Sequence, residues 1–81
     1  MKPSLYGRVA LRCDMPEYRL MKGDVATLVD HVPHPEGGED GYVLEVFNAL
    51  GESLTVITVA ESDVEPLQPG EVLAVRMLAE T

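Results

Sequence analysis

Cysteine, positive charge and long apolar runs are what this 81-residue chain has least of. A single cysteine, Cys13, leaves no intramolecular disulfide to form, so the fold stands without a covalent staple and suits a reducing, cytoplasmic compartment. Six Lys and Arg stand against fourteen Asp and Glu, a formal net charge of −8. Binding to nucleic acid needs clustered cations that release counterions, and from Gly23 onward the sequence supplies one, Arg76, so nucleic acid is excluded as a partner. The apolar runs are a few residues long, where a bilayer span needs about 20. Arg8 and Arg12 interrupt the first of them, so neither a membrane segment nor a signal-peptide core is expected.

What is present fits one small soluble domain over residues 1–81. Apolar residues make up 46% and charged residues 25%, enough apolar content for a packed core rather than a disordered tail. A chain of 8.8 kDa buries roughly 60–65% of its unfolded surface, which provides one modest core and no deep catalytic cleft. No enzyme is expected. The charge is uneven along the chain: residues 1–22 hold five cations and two acids, and the remainder holds twelve acids against Arg76. Such asymmetry is either a solvated surface that aids solubility or a surface that recognises a basic partner.

No window of ten residues carries a helical stripe, whereas period-two alternation recurs, so the fold class is all-β. The first strand is expected over Tyr6–Cys13, with Val9, Leu11 and Cys13 on one face and Arg8, Ala10 and Arg12 on a wet one. Met15-Pro16 opens a long first loop. The Lys22-Gly23-Asp24 turn leads into a second strand to about Val32. Two prolines and three glycines between His31 and Gly41 predict an exposed, mobile hairpin loop without preformed geometry. Tyr42–Phe47 and Leu54–Val59 form the next hairpin, with Tyr42, Leu44 and Val46 on a common face. Ala60–Asp63 predicts a 3₁₀ turn and Val64–Leu67 a short closing strand. After Gln68-Pro69-Gly70, residues 71–78 form a sixth strand or a tail helix, the strand being preferred, and pack on the barrel or on a second subunit as a homodimer.

Met15-Pro16-Glu17-Tyr18, the run from Leu20 to Val29 and Gly41–Phe47 together carry a resemblance. The chain resembles the small bacterial proteins of domain-of-unknown-function family 4926 over about Tyr6–Leu67. The stretch Pro16-Glu17-x-x-Leu20-x-x-Gly23-Asp24-Val25 is the most specific part of that resemblance. It implies a small SH3-like barrel of five strands, about residues 6–67; the longer, Pro-rich His31–Gly41 loop and the extension over residues 68–81 depart from the family pattern. It implies no established activity, and a setting of non-enzymatic modules, some paired with toxins. The entry into the second strand is also similar to a barrel motif of ribosomal and transcription proteins that meets RNA, which the shortage of cations rules out.

Candidate chemistry is sparse. His31 and His34, with Glu36, Glu39 and Asp40 downstream, are the candidate metal ligands; a loop without fixed geometry favours two exposed histidines instead, and no metal or cofactor is expected. Cys13 reads as a small buried hydrophobe, not a nucleophile, because it has no assured base. In the first loop, Leu20 together with Met21 is expected to cap the core. Met15, Glu17, Tyr18 and Arg19 are expected to stay exposed as a partner-binding hot spot. The expected function is a non-enzymatic protein-interaction module, an antitoxin-like or immunity-like inhibitor of a basic partner. The alternatives are a self-associating structural or regulatory barrel and a small metal-binding protein.

Overall fold

Period-two alternation does produce an all-β chain. The computed structural model describes residues 3–78; Met1, Lys2 and the last three positions of the expected extension lie outside the described residues. Five strands, β1 (Arg8–Leu11), β2 (Val25–Val32), β3 (Gly41–Phe47), β4 (Ser53–Ala60) and β5 (Val64–Pro66), form one antiparallel sheet in the order β4-β3-β2-β1-β5. Two 3₁₀ turns, Pro16–Tyr18 and Glu61–Asp63, punctuate it. The edge strands β4 and β5 are consecutive in the chain. That order is consistent with a small SH3-like barrel, although among the described residues no ladder closes the seam between the edges.

The core is built from the inward faces of all five strands: Val9 and Leu11, Ala26 and Leu28, Tyr42, Leu44 and Val46, Ile57 and Val59, and Val64. Among the described residues no charged or polar side chain is buried, so every described acid faces water.

The first strand departs from expectation. It is shorter than Tyr6–Cys13, because Tyr6 takes a left-handed φ of 66° in a turn in which the Gly7 N–H donates to the Ser4 carbonyl. Nor does it have a wet face at its centre. β1 pairs on both sides, and Ala10 lies opposite Val25 of β2 and Glu65 of β5. Side chains directly opposite on a sheet share a face, so these two neighbours flank the small Ala10, which is buried.

In β2 the register shifts between Leu28 and Asp30, leaving Val29 outside the pairing. A bulge reverses which side chains face the core. His31 consequently lies opposite the inward-facing Tyr42, with ring centroids 5.5 Å apart. A second shift between Val46 and Phe47 leaves Leu54 of β4 outside the pairing.

Residues 71–78 are neither strand nor helix. Their alternation gives two faces of similar polarity, and neither face is driven as a whole into a sheet or onto a core. Val72, Val75 and Met77 are 91%, 93% and 87% exposed, while Leu78 packs against the core cluster.

Candidate functional site

The first loop is a closed knob rather than an open excursion. Met15 and Leu20 form an isolated antiparallel bridge, each N–H donating to the other's carbonyl, at 2.9 and 3.1 Å. Pro16 sits at the start of the 3₁₀ turn, where its missing N–H costs nothing, and Arg19 closes the turn with a left-handed φ of 59°. Bridge partners share a face, so Met15 and Leu20 both point into the core, at 6% and 4% exposure. Leu20 therefore caps the core as expected. Met15 is corrected from partner-binding to core, and Met21 from core cap to an exposed position.

The loop's base is held by side-chain acceptors: the Lys22 N–H donates to Asp14 Oδ1 and the Met21 N–H to Asp24 Oδ2, each at 2.8 Å. This places Glu17, Tyr18 and Arg19 at the tip. Together with Leu20, with Val46, Leu54 and Thr55 of β3 and β4, and with Leu78 of the tail, they line a shallow depression of about 220 Å³. Three of the four expected partner-binding residues are thus brought together. Leu54 reaches this rim from the second register shift, which the sequence did not announce.

Asp24 and Arg76 meet beside Arg19. The Arg76 guanidinium makes a two-point ion pair with the Asp24 carboxylate, Nε donating to Oδ1 at 2.9 Å and Nη2 to Oδ2, and Nη2 also donates to the Arg19 carbonyl at 3.4 Å. Partial burial raises the Asp24 pKa, but the hydrogen bonds from Arg76 and the Met21 amide outweigh it and hold the carboxyl below its ordinary value. The signal for this pair was Arg76's place as the one cation after Gly23. Nothing local to Asp24, at the turn into β2 and within the stretch that carries the family resemblance, points to a partner 52 residues on.

The His31–Gly41 segment is exposed but not free of geometry, which corrects the expectation. His31 Nε2 lies 2.8 Å from Asp40 Oδ2, and Asp40 Oδ1 accepts from the His34 N–H. The ring of His34 turns inward, its Nδ1 accepting from the amides of Glu36 and Gly38 at 3.1 and 3.0 Å. A Cβ on Gly38 would meet that ring at 3.0 Å, so any larger residue there would need the ring to give by a few tenths of an ångström. The loop is then pinned to the second 3₁₀ turn: the Glu61 amide donates to the Asp40 carbonyl, and the Ser62 amide to Glu39 Oε1 at 2.6 Å. These bonds engage the side chains of His31, His34, Glu39 and Asp40, and among the described residues no group of three metal-ligating side chains is assembled.

Cys13 is exposed, not buried. It lies past the end of β1, with Sγ 3.8 Å from Asp63 Oδ1. Desolvation, the charge and hydrogen bond of Asp63, and the charges of Asp14 and Glu17 all raise the thiol pKa, the opposite of an activated nucleophile.

The charge asymmetry of the sequence is blended in space. β1 lies against β5, Ala10 pairs with Glu65, and the Arg12 amide donates to the Asp63 carbonyl, so the mildly basic start of the chain borders acidic ground.

A family model described as "Domain of unknown function (DUF4926)" matches residues 5–66, which include the whole sheet and the first loop. No curated protein and no solved structure matches the chain.

Proposed function

We propose that this chain, which belongs to the DUF4926 family, is a non-enzymatic protein-interaction module, acting as an antitoxin-like or immunity-like inhibitor that covers a basic partner protein. The observation that carries the reading is the convergence of Glu17, Tyr18 and Arg19 with Val46 and Leu54 at one depression on an acidic body. Tyr18 is 37% exposed on a turn fixed by the Met15–Leu20 bridge, so its aromatic surface is presented at little further ordering cost. Acids left at the surface raise the encounter rate with a positively charged protein, an effect that salt weakens. The test is recovery of a partner by the tagged chain from its native cells at low and high salt, with Tyr18→Ala as control. The expected result is a basic protein held by the parent chain at low salt and lost with the variant; recovery of no basic protein at either salt sinks the reading.

A second reading, self-association, is favoured by one observation. β4 is an edge strand of eight residues, Ser53–Ala60, without a charged residue or a proline, and its Leu54 and Val56 are 45% and 56% exposed. Such an edge offers its unpaired backbone groups to another strand. Sedimentation of the parent chain against Val56→Lys tests it: a dimer that the variant abolishes supports β4 pairing, and a monomer in both removes it.

A further inference from the structure

The tail is tied down by alternate side chains. Arg76 and Leu78 point at the body while Val75 and Met77 point to water, which is how an extended peptide lies on a receptor. Beneath Arg76, the Asp24 carboxylate is already oriented by the Met21 amide, and the Arg19 carbonyl supplies a second acceptor. Leu78 packs against the core cluster and forms one wall of the depression that the first-loop tip, Val46 and Leu54 also line. A carboxylate with a fixed in-plane geometry matches the fork of a guanidinium better than it matches an ammonium.

We infer that this groove is a receptor for an extended Arg-x-aliphatic segment, and that residues 76–78 occupy it in cis and must leave before such a segment of another protein enters. The inference rests on the interaction-module reading for the identity of the second occupant, a basic protein. The site and its present occupant stand on the contacts alone. A tethered segment competes at an effective concentration on the order of millimolar, so the intact chain masks its own groove from a free ligand.

The probe is a labelled peptide of sequence Glu71–Leu78, followed by fluorescence anisotropy with the full chain and with a full-chain Arg76→Ala/Leu78→Ser variant. The expected result is binding at least about ten-fold tighter to the variant, the tether no longer competing, and loss of binding when the peptide carries Arg76→Ala. Equal binding to both chains, binding to neither, or no effect of the peptide substitution overturns the inference. A measurement on the unmutated chain makes the result independent of the variant's folding. The Arg76 Nε proton is expected to resist solvent exchange and to lose that protection when excess peptide displaces the tail; exchange at the rate of a free arginine overturns the docking. If the peptide binds as expected and no basic protein is recovered from cells, the cis contact stands and only the partner reading falls.

Discussion

Arg76 and Asp24, 52 residues apart in sequence, form a two-point ion pair that fastens the tail to the turn before β2. Neutralising either side is expected to free residues 71–78 while leaving the sheet intact. Asp24→Asn should speed trypsin cleavage after Arg76 several-fold, and raised salt should do the same in the parent chain, because an exposed pair is screened. Acid acts in the same direction. The folded carboxyl pKa of Asp24 is depressed, so the contribution is fully present above the unfolded value of about 3.9 and is lost as pH falls through the lower folded value. Cleavage profiles unchanged by Asp24→Asn show that the pair does not hold the tail.

Met15 and Tyr18, three residues apart, are expected to behave as opposites. Met15→Ala removes a buried side chain and should cost about 2–5 kcal/mol in urea unfolding. Tyr18→Ala removes a half-exposed ring and should change stability by about 0.5 kcal/mol or less. Equal losses at the two positions contradict the division between core and rim.

Cys13 should alkylate slowly for an exposed thiol. Its pKa is raised, so at pH 8 a smaller fraction is thiolate than in an unstructured peptide of the same sequence. Asp63→Asn removes the nearest charge and should accelerate iodoacetamide labelling several-fold, with the pH midpoint of the rate moving down. A rate already equal to that of the peptide counts against the Asp63 contact.

Zinc uptake by equilibrium dialysis should be the same for the parent chain and for the His31→Ala/His34→Ala variant. The Nδ1 atom of His34 already accepts two amides and His31 is spent on Asp40. Stoichiometric uptake by the parent chain alone overturns this account of the loop.

The inward face of β3 and the second 3₁₀ turn were legible because each depends on residues within a few positions, Tyr42, Leu44 and Val46 by alternation and Ala60–Asp63 by turn chemistry, whereas at Pro16 only a loop was expected. Leu20 could be placed in the core from its apolar character in a loop. Met15 could not, because its burial depends on pairing with Leu20 across a turn, and the same composition is compatible with an exposed methionine. Ala10 is buried against expectation because nothing local says that β1 has neighbours on both sides. The bulge at Val29 and the left-over Leu54 belong to strand registers, which pattern alone does not encode. Of the site, Glu17, Tyr18 and Arg19 were read from the first loop, while Asp24, Leu54 and Leu78 required the fold.

β1 stands between β2 and β5, pairing Leu11 with Val64. The β2-β3-β4 meander can zip from neighbouring hairpins, but β1 acquires its second partner only when β5, more than fifty residues on, comes round to meet it. Loop closure of that length costs entropy before the contact forms, and this junction joins the residues farthest apart in sequence of any strand pair in the sheet.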